Sequence, residues 1–237
     1  MKKLILAFAA LLCLASCEIK RDPSIVVQEM MNIQNGLLVN DLGVKYSITG
    51  QESAAEILTL PRVFLTGTAT PSGTAGYDYD LEPYEWYSVT IQDCVTVSSV
   101  PDVDEAFGTS PASLTHVWFE GGYVNALVTV SYDKDEDFQG EVNLVFDDTR
   151  SSDRELYFML KNKQTGKTWE DPELSSLNVI FGAQFYSFPY TQFYDSQFHG
   201  EQAIYLSWRW FNPNDYDGEL PYRTVSDRQG SYFINVP

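Results

Sequence analysis

The residues best suited to chemistry by type and spacing are Asp133, Asp135 and Asp137 in "DKDEDFQGE". Three carboxylates at alternate positions can converge on a hard cation such as calcium if the backbone curls around it. A full EF-hand loop is excluded, because Phe138 stands where its glycine belongs and Leu144 where its last acid belongs. The competing reading is a solvated hairpin tip between "LVTVSY" and "EVNLVF". "NPNDYDGE", Asn212 to Glu219, is a second acidic turn open to the same two readings. Beyond calcium at these loops no cofactor is expected. The only histidines are His116 and His199, too few for a multi-histidine zinc site, and no G-x-S-x-G motif presents a serine nucleophile. A glycoside hydrolase needs two carboxyls facing each other across a cleft. With 33 acids in the chain, spacing alone singles out no such pair.

The N-terminus carries a different chemistry. "MKK" is a positive n-region and "LILAFAALLCLA" an apolar run too short to span a bilayer comfortably. It ends in "LASC", Leu14 to Cys17, which resembles the bacterial lipobox at every position. The motif implies cleavage before Cys17, diacylglycerol on its thiol and a further acyl chain on the new amino group. Several chains together give stable anchoring where one does not. Cys13 leaves with the leader, so Cys94 is the single remaining thiol and no internal disulfide can form. Cys94 lies in a strand-like run with no adjacent base, which reads as a buried, inert thiol.

Charge narrows the partners. The whole chain carries −18. Loss of Lys2 and Lys3 with the leader reduces 15 bases to 13 against the same 33 acids, which gives −20. Such a surface repels phosphate backbones and anionic headgroups, so nucleic acid is not an expected partner. Aromatic residues are 14% of the chain and densest from Phe181 to Phe211, where "YLSWRWF" places Trp208 and Trp210 on one strand face. Such rings can stack a ligand or form ordinary core and rim.

Strand signals dominate the elements that must position these groups. "GLLVNDLGVKYSITG" predicts two strands around an Asn40–Asp41 turn, and "RVFLTGTAT" and "YEWYSVTIQDCVTV" predict more. "IVVQEMMNIQNG", Ile25 to Gly36, is the best helical candidate, and "ESAAEILTLP" predicts a turn or two of helix before Pro61. "WFEGGYVNALVTVSY" predicts a hairpin or bulge at Gly121–Gly122 and a strand with Val124, Ala126, Val128 and Val130 on one face. The resulting division is a leader over residues 1–16, a lipidated tether over 17–30, an OB-like barrel over 31–100, a Pro- and Gly-containing linker over 101–113, and a β-sandwich over 114–237. The fold class is all-β: a small OB-like β-barrel followed by an antiparallel β-sandwich.

Taken together, "LASC", "GLLVNDLGVKYSITG" and "VWFEGGYVNALVTVSY" resemble the NigD-like lipoproteins of Bacteroides-type bacteria. The resemblance implies a lipid-anchored cell-envelope protein at the outer membrane, with no defined catalytic residues and a suggested link to bacteriocin immunity. The tether "EIKRDPS" lacks the acidic run that some surface-exported lipoproteins carry, so the side of the membrane it faces stays open. The expected activity is binding of a protein or an oligosaccharide, without catalysis. The alternatives are a carbohydrate-active enzyme and a structural component of the envelope.

Overall fold

The computed structural model describes residues 23–136, 138–167, 178–193, 200–211 and 225–236. Cys17, Asp137, His199 and the acidic turn at 212–219 lie outside them.

The first half closes a barrel from five strands: β1 (Ile25–Gln34), β2 (Leu37–Asn40), β3 (Lys45–Ile48), β4 (Arg62–Pro71) and β5 (Tyr79–Ile91). β2 pairs antiparallel with β1 and β3, and β4 with β1 and β5, while β3 and β5 close the ring in parallel. A short helix, Gln51–Ile57, sits between β3 and β4. This connectivity is that of an OB barrel. Asn40 makes the β2–β3 turn, its side-chain oxygen accepting the N–H groups of Leu42 and Val44. Val27, Met31, Leu38, Tyr46, Val63, Leu65, Ala69 and Leu81 fill the interior, and Ile57 of the helix packs with them.

One expectation is corrected. Residues 25–36 are not helical: β1 spans Ile25–Gln34, runs beside β4 over eight residues, and begins within the segment read as tether. Met30 and Met31 are both buried, so the strand has apolar cover on both faces. A strand buried on both faces loses the alternation that marks one in sequence.

The second half is a sandwich of two sheets. β7 (Ala112–Glu120), β8 (Tyr123–Asp133) and β11 (Val179–Pro189) form one. β6 (Val95–Thr96), β9 (Gly140–Phe146), β10 (Glu155–Gln164), β12 (Gly200–Phe211) and β13 (Val225–Val236) form the other. Most neighbours are antiparallel, but β6–β9 and β10–β12 are parallel. The chain crosses to the opposite sheet as β11 before returning as β12, which brings β12 back alongside β10 in the same direction. The core between the sheets includes Val124, Ala126, Val128, Leu144, Phe146, Leu156, Phe158, Phe188, Ile204 and Leu206. The all-β reading of a barrel followed by a sandwich is what the structure has.

The two halves share a sheet. β11 pairs in parallel with β5, so the barrel strands and β11-β8-β7 form one eight-stranded sheet. The chain enters the second sheet of the sandwich already at β6, before residues 101–113. Within that segment Asp102 caps a short helix, Val103–Phe107, by accepting the N–H groups of Asp104 and Glu105. Lys161 on β10 pairs with Asp104, and Lys163 donates to the carbonyls of Glu105 and Ala106, which fastens the crossing to the sandwich.

A candidate binding groove at the seam

The shared sheet folds over at the β5–β11 junction, and the outer face of the barrel comes to lie against the outer face of β11-β8-β7. Alternation along four strands then decides what fills the seam. β4 points Arg62 and Phe64 into it, β11 points Ser187 and Phe185, β8 points Asn125 and Leu127, and β1 points Asn32 and Met30. In each pair the polar residue stands at one end of the seam and the apolar residue at the other.

The polar end is closed. Arg62 is wholly buried. Its Nη1 and Nη2 donate to the two carboxylate oxygens of Asp41 at 2.8 and 2.6 Å, a bidentate pair. Nη1 also donates to Asn32 Oδ1, Nε to Ser187 Oγ and Nη2 to Asn125 Oδ1. The guanidinium stands 4.4 Å from the ring centre of Tyr123. Barrel residues Asn32, Asp41 and Arg62 are thus locked to sandwich residues Tyr123, Asn125 and Ser187. Gly121 and Gly122 belong here. They form the two-residue turn of the β7–β8 hairpin, with φ of 59° and 83°, as a type I′ turn requires. A Cβ on Gly121 would lie 2.6 Å from Asp41 Cγ, so the turn sits directly on the carboxylate that holds Arg62.

The apolar end is open. It forms a groove of about 910 Å³ lined from the barrel by Gln28, Glu29, Phe64, Glu85 and Tyr87, and from the sandwich by His116, Trp118, Glu120, Leu127 and Phe185 among others. Four rings make a continuous row. Phe185 stacks on Phe64 at 4.3 Å, Tyr87 tilts against Phe185 at 5.7 Å, and Trp118 tilts against Phe64 at 6.1 Å. Phe64 and Trp118 meet across the gap although β5, β11 and β8 separate their strands in the sheet. Tyr87 is half exposed and donates its hydroxyl to Glu85. Glu29 accepts from Asn40 and from the Tyr46 hydroxyl. Burial, with the charges of Asp41 and Glu29 nearby, pushes the Glu120 carboxyl above its ordinary range, against a smaller opposing pull from Arg62.

A bulge delivers the β7 side of the groove. The register between β7 and β8 shifts by one residue between Thr115 and Trp118, and His116 takes a left-handed φ of 49° there. Before the shift Leu114 faces the sandwich core; after it Val117 and Phe119 do. Trp118 and Glu120 therefore turn outward into the groove. Without the extra residue they would point into the core.

The other sequence candidates lie elsewhere. Asp133 ends β8, and its carboxylate accepts the Asp135 N–H, capping its own turn. Asp135 is exposed, and Asp137 is outside the described residues. Among the described residues no group of three His, Cys, Asp or Glu side chains is placed to hold a metal ion. His116 lines the groove without a catalytic partner suggested by sequence, and His199 lies outside the described residues. Cys94 is buried, and burial, helped by Asp93, pushes its thiol up to about 12. Of the aromatic-rich stretch from Phe181, Phe185 reaches the groove, while Tyr186, Phe188 and Tyr190 join the core and Phe193 and Trp208 pack against it. Phe64, Tyr87, Trp118, Glu85 and Glu120 were not singled out as site residues. Phe64, Glu85 and Tyr87 show only outward phase on their strands, and the bulge denies even that sign to Trp118 and Glu120.

No family model and no curated protein matches the sequence. Solved structures do share its architecture. A NigD-like immunity protein from Bacteroides caccae superposes with a TM-score of 0.56 at 13% identity, over 86% of this chain and 91% of that one. The chain has the fold of that protein. A protein of unknown function from Bacteroides vulgatus gives 0.57 at 17% identity, covering 90% and 92% of the two chains. A protein described as toxin-related, from Parabacteroides distasonis, gives 0.53 at 13%, covering 88% and 93%. The resemblance drawn from the residues thus holds at the level of the fold.

Proposed function

We propose that this chain is a NigD-like cell-envelope protein, anchored to the outer membrane through lipid on Cys17, that acts by binding a partner in the seam groove. The observation that carries the reading is the unbroken row Tyr87–Phe185–Phe64–Trp118 along a concave, partly open surface. Aromatic faces fixed on strands offer large contact area with little conformational entropy to lose, as binding hot spots do. The fold shared with an immunity protein supports a protein partner over an oligosaccharide. No helix among the described residues is long and apolar enough to cross a membrane, which agrees with attachment by lipid.

The test uses the mature protein in its native membrane, cross-linked and captured as wild type and as Trp118→Ala/Phe185→Ala. A partner held by the wild type and lost from the double variant supports the reading. Equal capture by both overturns the groove as the binding face. Cys17→Ser should move the protein from the membrane to the soluble fraction.

One observation favours a second reading. Glu120, with its raised carboxyl, and Glu85 line the same concavity, as the acid and its counterpart would in a carbohydrate-active enzyme. Release of chromophore from an aryl glycoside by the wild type but not by Glu120→Gln would establish it. Glu85 instead stands exposed at the rim and accepts the Tyr87 hydroxyl, an arrangement suited to holding a ligand.

A further inference from the structure

The groove is acidic: among the described residues its lining holds Glu29, Glu85 and Glu120, the histidine His116, and no lysine or arginine. Among the described residues neither Glu85 nor Glu120 is held in an ion pair. The nearest guanidinium, Arg62, is wholly buried and turned to Asp41, Asn32, Asn125 and Ser187. Aromatic faces present the negative side of their quadrupole to whatever lies over them. Four rings and the carboxylates of Glu85 and Glu120 therefore line a space that would best hold positive charge, while the Glu29 carboxylate is turned to Asn40 and Tyr46.

The closed end of the same seam already shows that chemistry. There an arginine fits between the Tyr123 ring and the Asp41 carboxylate. The open end repeats the ring-and-carboxylate surroundings with no arginine inside. An anionic ligand would meet the Glu carboxylates, and the chain's charge of −18 would repel it at longer range. A neutral sugar would leave the charge unused. The volume, about 910 Å³, exceeds a single side chain and admits a short stretch of backbone on either side.

We propose that the groove takes an arginine or lysine side chain presented by an extended segment of a partner protein, with the cation lying over the Tyr87–Phe185–Phe64–Trp118 row between Glu85 and Glu120. This rests on the groove being the binding face. Arginine is the better fit, because its planar guanidinium stacks on rings while forking to carboxylate. Binding also relieves the repulsion that Glu120 receives from Asp41 and Glu29, which the buried Arg62 offsets only in part.

The probe is an acetylated, amidated pentapeptide with one central arginine and neutral flanks, titrated by calorimetry into the full mature chain. The central arginine is replaced by citrulline, a neutral isostere, in a second peptide. Glu85→Gln/Glu120→Gln removes the proposed partners, and Asp135→Asn/Glu136→Gln removes the same charge at the distant hairpin tip. The expected result is weakening of about tenfold or more in the groove variant and with citrulline, and no change in the hairpin variant, since a cation over a desolvated ring with a carboxylate partner is worth about a factor of ten or more. Equal weakening in both variants would mean general charge attraction and overturn the proposal, as would equal binding of the citrulline peptide. Spermidine binding as tightly as the peptide would overturn the assignment to a protein segment. If membrane capture depends on Trp118 and Phe185 while citrulline changes nothing, the groove stands and the cation fails. If capture ignores those rings, the groove itself fails.

Discussion

Arg62 is the residue on which the seam turns. A buried guanidinium is tolerable only when its donors are met, and here Asp41, Asn32, Asn125 and Ser187 meet them. Arg62→Met should cost about 3–5 kcal/mol, because it strands the buried Asp41 carboxylate; urea denaturation measures it. Glu120 behaves in the opposite sense. Its folded pKa lies above the ordinary carboxyl value, so folding favours its protonated form. That contribution is complete at pH values below the unfolded pKa and is lost as pH rises through the folded one. Glu120→Gln should therefore raise the melting temperature at neutral pH, and the gain should shrink as pH falls toward about 4.5 and vanish below it. An unchanged gain at acid pH would mean that ionisation is not its source. Cys94, with a thiol pushed up to about 12, should react with a disulfide reagent at neutral pH only after unfolding. Its inertness was legible in sequence, from an apolar strand with no local base. Neither the isolation of Arg62 in "LPRVF" nor that of Asp41 in a turn hinted that they meet.

At the scale of the element, two backbone irregularities on β7 and its turn build one side of the groove. His116 absorbs the extra residue that turns Trp118 and Glu120 outward. His116→Gly should change stability by less than about 0.5 kcal/mol, since relief of left-handed strain offsets the freer unfolded chain. Deleting His116 should be severe, by more than about 3 kcal/mol, because it aims Glu120 at the apolar core. Similar unfolding curves for the deletion and the glycine variant would refute the bulge as the aiming device. Gly121→Ala should cost about 2–3 kcal/mol, combining a left-handed φ with a clash against Asp41, which Arg62 holds in place. The hairpin at Gly121–Gly122 was legible from two glycines between strand-like runs. The bulge was not, since Thr115-His116-Val117 carries no glycine or proline to mark it. β1 hides its strand pattern for a related reason, with methionines at adjacent positions serving two different apolar surfaces.

At the scale of the whole molecule, barrel and sandwich are joined by a shared sheet and by the Arg62 cluster. They should therefore unfold together in a single calorimetric transition with matching calorimetric and van't Hoff enthalpies. Two resolved transitions in the wild type would show that the seam does not couple the halves. The charge of −18 belongs to this scale as well, and a field of that sign favours approach of cations over polyanions. Added salt should slow association with a basic partner more than dissociation.

By itself the sequence determined the all-β class, the order of barrel before sandwich, and the turns at Asn40–Asp41 and Gly121–Gly122. Each of these is a local pattern, readable from period-two alternation or turn residues. Only the tertiary structure decided where a groove forms. The groove draws residues from Gln28 to Phe185 on β1, β4, β5, β7, β8 and β11, and joins them where one sheet folds back on itself. Alternation tells that a side chain leaves its strand on one face or the other. Which face meets the core, which meets another sheet and which meets solvent depends on how distant strands pack, and no window of sequence contains that.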